Sequence, residues 1–146
     1  MENKTSGSVH WSFWLIGAVA LIWNAMGVMN FMAQMFAGDL SFMPEWWRAV
    51  IESRPLWATV AMAVAVFGGV LGAILLLLRK SAAIYLFILS LNGAVLAIVH
   101  AVGVAGAGPR QIFEAVVMPV VVAGFMIWYA KLARRRGWFN PRDTTG

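Results

Sequence analysis

Hydrophobic residues run along this chain in four long stretches, separated by short polar or glycine-rich connections. The stretches are Trp11–Met35, Leu56–Leu78, Ser81–Val104 and Gln111–Ala130. A bilayer core about 30 Å thick is crossed by roughly 20 helical residues, so each stretch is long enough to span it. The pattern therefore predicts an all-α fold, an integral membrane four-helix bundle that forms one domain over residues 1–146.

The connections predict how these helices are arranged. LLRKSA, between the second and third stretches, is so short that the two helices must be antiparallel neighbours. The first connection is longer, and its Pro44 suits a first helical turn. Trp46, Trp47 and Val50 then form an apolar face opposite charged side chains. We therefore expect a short helix at about 43–53 that lies at the membrane interface.

Composition also places the chain in lipid. Hydrophobic residues make up 62% of it and charged residues 12%, against about 25% charged in a typical soluble domain. The chain has no cysteine, which excludes disulfides, thiolate metal sites and a cysteine nucleophile. Its first apolar stretch is far longer than the roughly 7–15 residues of a signal peptide, so we expect a retained helix.

The distribution of basic residues predicts the orientation. The net charge is +5, but the cations stand at the ends of apolar stretches, which favours membrane orientation over nucleic-acid binding. One side would hold Lys4, Arg79, Lys80, Lys131, Arg134, Arg135, Arg136 and Arg142, and the other Arg48, Arg54 and Arg110. The positive-inside rule then places both termini in the cytoplasm.

Polar side chains recur inside the apolar stretches, where hydrocarbon would leave them unpaired, so we expect them to point into the bundle. At 100° per residue, one face of the first helix carries Trp23 and Asn24, and one face of the third carries Asn92. Asn24 and Asn92 both fall near mid-membrane if each helix is centred on the bilayer. They form either an interhelical hydrogen bond of about 0.6–2 kcal/mol or, with Trp23, a ligand-binding site.

A second polar layer is expected nearer the outer surface. Its members come from the first, third and fourth helices and are Asn30, Gln34, His100, Gln111 and Glu114. His100 and Glu114 form either an ion pair that closes the outer end of the bundle or a proton-responsive or ligand-binding pair. The second alternative stays open because an ionisable residue at depth in a membrane is a functional candidate.

Several chemistries do not fit the sequence. A catalytic triad would need an acid and a serine beside His100, and Ser90 lies too far towards the membrane centre. His10 and His100 stand at opposite ends of the bundle, so one chain cannot ligate haem with two histidines. No metal-ligand spacing or phosphate-binding glycine loop is visible. We expect neither an enzyme nor a cofactor.

Two smaller features bear on helix packing. Gly68 and Gly72 stand four residues apart in FGGVLGA, a spacing that lets another helix approach closely. That helix belongs either to the same chain or to a second copy. Pro119 interrupts the fourth stretch, and we expect it to kink the helix.

Four segments of the chain carry a resemblance to a known family. They are LIWNAMGVMNFMAQM, RPLWATVAMAVAVFGGVLGAILLLLRK, FILSLNG and MPVVVAGFMIWYAKLARRRGWF, and the most specific elements in them are WN-x-x-GV, P-x-WAT, AVFGG-x-LG and RRGW. Over about Trp14 to Phe139 the chain resembles small bacterial four-helix inner-membrane proteins that are commonly labelled sugar transporters. The resemblance implies the bacterial inner membrane and transport, and it supplies no binding residues.

Two hypotheses about function follow. The first is a transporter of a small solute such as a sugar, since an aromatic face beside an amide, here Trp23 and Asn24, suits a sugar and transporters bind near the midplane. Four short helices enclose little room, so this hypothesis favours a homodimer, with His100 and Glu114 as the outer gate. The second is a non-transporting membrane protein, either an accessory subunit or a module that binds a lipid or quinone.

Overall fold

The computed structural model describes residues 9–104 and 108–140, and every regular element in these ranges is helical. The elements are α1 (Trp11–Phe36), α2 (Glu45–Glu52), α3 (Leu56–Leu77), α4 (Ala83–Gly103), α5 (Pro109–Ile112), a π-helical turn (Phe113–Val117) and α6 (Met118–Arg135). Among the described residues, α1, α3 and α4 are long and apolar enough to cross a membrane. An all-helical chain with three such helices indicates a membrane protein, as the hydropathy pattern predicts.

Helix bounds agree with the sequence predictions to within about two residues except at the end of α6. That helix continues to Arg135, past the predicted end at Ala130, because lysine and arginine are good helix formers although they end the apolar pattern. It stops where Gly137 adopts a φ of 68°. The N–H of Trp138 then donates to the carbonyl of Ala133 at 3.0 Å, which is a Schellman C-cap.

The expected irregularity at Pro119 takes the form of a π-helical turn, Phe113–Val117, which ends two residues before the proline. Proline has no N–H, and its ring collides with the carbonyl one helical turn earlier. Widening that turn to a π-helix accommodates both effects, and such turns are frequent at functional sites.

The most extensive helix contact is between α3 and α4. A Cβ on Gly72 would lie 2.8 Å from the ring of Phe87, and one on Gly93 would lie 2.6 Å from the carbonyl oxygen of Ala61. Gly68 faces the same helix, with the Cβ of Ser90 3.4 Å from where its own Cβ would be. The helix that approaches the glycines of FGGVLGA therefore belongs to the same chain.

The main hydrophobic core lies where α1 and α4 begin and where α3 and α6 end. We call it the closed half, and its buried members are Phe13, Ala20, Ala73, Leu76, Ala83, Ile84, Phe87, Met126, Tyr129, Ala130, Ala133, Trp138 and Phe139. The ring of Phe13 packs edge-on against that of Trp138, with 5.8 Å between centroids. The closed half is therefore filled largely by aromatic rings.

The turn between α3 and α4 is tied to the segment that follows α6. Arg79 has a φ of 59°, a left-handed conformation that costs a residue with a Cβ about 1–2 kcal/mol. Its Nε donates to the carbonyl of Trp138 at 2.5 Å, and its own carbonyl accepts from the N–H of Asn140 at 3.0 Å. These two hydrogen bonds stabilise the strained turn and join it to the segment after α6 at this end of the bundle.

Candidate functional site

The other half of the bundle, which we call the open half, contains a cavity of about 510 Å³. Phe87 and Met126 of the closed half border this cavity. Its lining residues come from α1, α2 and the turn after it, α3, α4 and α6, and they are Trp23, Asn24, Met26, Gly27, Asn30, Trp47, Val50, Arg54, Met62, Ala65, Val66, Phe87, Ala94, Ala97, Ile98, Ala101, Pro119, Val122, Ala123 and Met126. Sites for small molecules usually have volumes of roughly 300–1,000 Å³. This pocket is therefore large enough to hold a small ligand.

The pocket exists because small residues face one another across the bundle. They are Gly27, Ala65, Ala94, Ala97, Ala101 and Ala123, from four different helices. Met26, Met62 and Met126 complete much of the wall. Methionine is unbranched and adaptable, so these three side chains suit a surface that adjusts to a ligand.

Trp23 and Asn24, two of the three residues predicted for a central site, both line this pocket. The Nδ2 of Asn24 donates to the carbonyl of Ala20 on its own helix at 2.8 Å. Its Oδ1 lies so close to Gly69 that a Cβ there would collide with it. A glycine on α3 is therefore what makes room for the amide of Asn24 in the interior.

Asn92, the third residue of the predicted central site, lies on the outer surface of α4 and does not line the pocket. Its Nδ2 donates to the carbonyl of Ile88 on the same helix at 2.8 Å. The cause is its neighbour Gly93, which takes the tight contact with α3. Consecutive helical side chains point about 100° apart, so this contact turns Asn92 outwards and away from Asn24.

His100 connects α4 to α2 rather than to Glu114. Its Nε2 lies 3.3 Å from the carbonyl oxygen of Val50, and its ring meets that of Trp57 edge-on, with 6.1 Å between centroids. Val50 is in the last turn of α2, where carbonyls lack intrahelical partners. With a proton on Nε2, His100 donates to this carbonyl and holds α2, whose Trp47 and Val50 face the pocket.

Glu114 pairs with Arg110, four residues earlier on the same helical segment. The Nε of Arg110 donates to Oε1 of Glu114 at 2.9 Å, and both side chains are exposed. The hydrogen bond to Glu114 raises the pKa of Arg110. An exposed pair of this kind contributes about 0.2–1 kcal/mol, and it lies apart from the pocket.

The other members of the predicted outer layer are dispersed. Asn30 is the only one that lines the pocket. Gln34 is buried, with 6% of its surface exposed, and both atoms of its amide lack a hydrogen-bond partner in the described part of the chain. Gln111 folds back over Gly108, where a Cβ would lie 2.6 Å from its Oε1. The structure therefore does not gather these residues into one polar layer.

Arg54, which in the sequence contributes only to the charge balance of one membrane side, lines the pocket. It is half-buried in the turn between α2 and α3, and burial lowers the pKa of its guanidinium. Arginine nevertheless keeps its charge in proteins. Within residues 9–104 and 108–140 its side chain has neither a hydrogen bond nor an acidic partner. In the sequence, only its position directly before an apolar stretch indicates this location.

The described residues that line the pocket are mainly apolar. Apart from Asn24, Asn30 and Arg54, none of them carries an amide or a charged side chain. Over residues 9–104 and 108–140, no group of three histidines, aspartates or glutamates could hold a metal ion. Comparisons of the chain with models of protein families, with curated proteins and with solved structures found no match.

Proposed function

We propose that this protein binds an apolar or amphipathic molecule, such as a lipid or a quinone, in the pocket of its open half. The observation that carries the proposal is a cavity of about 510 Å³ with mainly apolar walls, in a chain with three helices able to cross a membrane. A sugar hydroxyl that faces such a wall without a partner would cost about 1–3 kcal/mol. Two amides and one guanidinium serve few hydroxyls, so the walls favour a hydrocarbon ligand.

We further propose that Gln111–Ala130 crosses the bacterial inner membrane as a fourth span, with both termini in the cytoplasm and α2 at the outer interface. The excess of basic residues on one side supports this orientation. The chain has no native cysteine, so single cysteines at Glu45 and Arg135, which are both exposed, would report on it. In intact cells an impermeant maleimide is expected to label Glu45→Cys but not Arg135→Cys, and the reverse pattern would contradict the orientation.

Filling the pocket tests the binding function. Binding of radiolabelled oleyl alcohol, a neutral single-chain amphiphile, would be measured on immobilised protein in micelles. Ala97 lines the pocket, and the ring in Ala97→Phe would occupy the space of a ligand. We expect binding to weaken by at least about tenfold, since each 1.4 kcal/mol of lost contact changes affinity tenfold.

The matched control is Ala18→Phe, because Ala18 is exposed on α1 and is not part of the pocket. It is expected to bind oleyl alcohol like the unaltered protein. Equal binding by all three proteins, or no saturable binding by any of them, would overturn the proposed function.

Transport of a small solute such as a sugar, by a homodimer, is the second candidate. It is favoured by one observation, that an aromatic ring and an amide, those of Trp23 and Asn24, share the pocket. Uptake of a panel of sugars into proteoliposomes distinguishes the two candidates. Saturable uptake that Asn24→Leu abolishes would support transport, whereas the absence of saturable uptake together with oleyl alcohol binding would support the binding function.

A further inference from the structure

Resting on the proposed function, we propose that the ligand is an amphiphile with an anionic group, a carboxylate or a phosphate, that Arg54 binds while the hydrocarbon chain fills the pocket. The pocket has a charged end and an apolar body. Arg54 precedes α3, and Val66 lines the pocket ten residues into that helix. At 1.5 Å per residue, the apolar wall therefore extends about 15 Å from the charged end.

The charge of Arg54 has no counterpart in the pocket. Aspartate and glutamate are both missing from the described residues that line the pocket. Among the described residues, no ion pair or hydrogen bond of the Arg54 side chain compensates for its partial burial. A half-buried guanidinium has lost part of its hydration, which costs free energy unless a partner replaces it. An anion on the ligand would supply the partner that the described part of the chain does not.

The geometry of a guanidinium narrows the ligand further. Its five N–H donors form a planar fork that binds a carboxylate or phosphate through two parallel hydrogen bonds. Asn24 and Asn30, which line the same pocket, add amide groups that can hydrogen-bond to a headgroup. A neutral quinone would use the apolar wall but leave Arg54 unpaired, whereas free phosphate would use Arg54 but leave the wall empty. Only a molecule with both an anionic group and a hydrocarbon chain matches the whole pocket.

Paired ligands with the same hydrocarbon chain isolate the contribution of the charge. Binding of oleate and of oleyl alcohol would be compared on the same immobilised protein, at a pH at which the carboxyl group is ionised. Oleate is expected to bind about ten- to a hundredfold more tightly, the range of hydrogen bonds to charged groups. In Arg54→Gln the ratio of the two affinities is expected to fall to about one, because only the charged ligand loses its partner.

Arg110→Gln is the control for the loss of one positive charge, because Arg110 is exposed, pairs with Glu114 and does not line the pocket. It is expected to keep the full preference for oleate. A thermal unfolding midpoint of Arg54→Gln in micelles close to that of the unaltered protein shows that this variant is folded. Arg54→Lys tests the fork, since a lysine keeps the charge but not the two parallel hydrogen bonds, and it is expected to restore only part of the preference.

The outcomes separate the inference from the function on which it rests. Equal affinity of the unaltered protein for oleate and oleyl alcohol would overturn the inference and leave the binding function in place. Binding of neither ligand would overturn both. Displacement of oleate by inorganic phosphate alone, at the concentration at which unlabelled oleate displaces it, would show an anion site that does not need the hydrocarbon chain and would also overturn the inference.

Discussion

The closed and open halves of the bundle are built from the same helices and differ in the size of the side chains that face inwards. On α1, Phe13 fills the closed half and Gly27 borders the pocket. On α3, Leu76 fills the closed half and Ala65 borders the pocket. Helix positions alone therefore do not decide where space remains in this membrane protein. At these positions of α1 and α3, the size of the side chain decides it.

The two halves also differ in how their half-buried arginines are satisfied. In the closed half, Arg79 donates to the carbonyl of Trp138. In the open half, the guanidinium of Arg54 has no partner in the described part of the chain. Taking a charged group out of water without a partner costs free energy. The open half is therefore the half in which a bound anion would add the most stability.

Truncation in each half gives the largest expected difference. Phe13 is fully buried and packs against Trp138, so we expect Phe13→Ala to lower the free energy of unfolding by about 3 kcal/mol. Met62 already borders the cavity, so Met62→Ala only enlarges a space that is already there. We expect this substitution to lower the free energy of unfolding by only about 1 kcal/mol. Unfolding by denaturing detergent in micelles measures both values. Equal losses would contradict the distinction between the two halves.

Substitution of two helical glycines is expected to have a smaller effect. A Cβ on Gly93 would lie 2.6 Å from the carbonyl oxygen of Ala61, a backbone atom, whereas one on Gly124 would meet nothing within 4 Å. Gly93→Ala should therefore destabilise the protein by about 1–3 kcal/mol through overpacking. Gly124→Ala should stabilise it by about 0.5–1 kcal/mol, since alanine favours a helix over glycine.

Thermal unfolding in micelles measures the two glycine substitutions side by side. A lower midpoint for Gly93→Ala and a slightly higher one for Gly124→Ala would confirm the close contact of α3 with α4. A Gly93→Ala protein as stable as the unaltered one would contradict that contact. It would also remove the reason given for the outward position of Asn92.

The helices and the residues at which they begin and end were predictable, because they depend on the hydropathy, length and turn residues of each segment alone. That Trp23 and Asn24 line the same pocket agrees with the helical period of one segment, which puts them on one face of α1. The position of Asn92 was not, because it depends on which residue of α4 meets α3, and the contact of Gly93 decides that. The contact of His100 could not be predicted either. Its partner is the carbonyl oxygen of Val50, and a backbone atom leaves no signal in the pattern of side chains.

The pocket itself could not be predicted from the pattern. Its walls combine small residues from several helices, and no single segment shows that they face one another. Arg54 was missed for a related reason: charge counting treats a cation beside an apolar stretch as a sign of orientation. Its partial burial appears only when α2 and α3 are placed around it.

Photocrosslinking with a fatty acid that carries a diazirine at the end of its chain tests most directly whether the open half holds a ligand. Mass spectrometry of the crosslinked protein is expected to find adducts on residues that line the pocket, such as Met62 and Met126. Excess oleate and Ala97→Phe should both suppress them. Adducts spread over the lipid-facing surfaces of all helices, unaffected by oleate, would contradict a ligand-binding pocket in the open half.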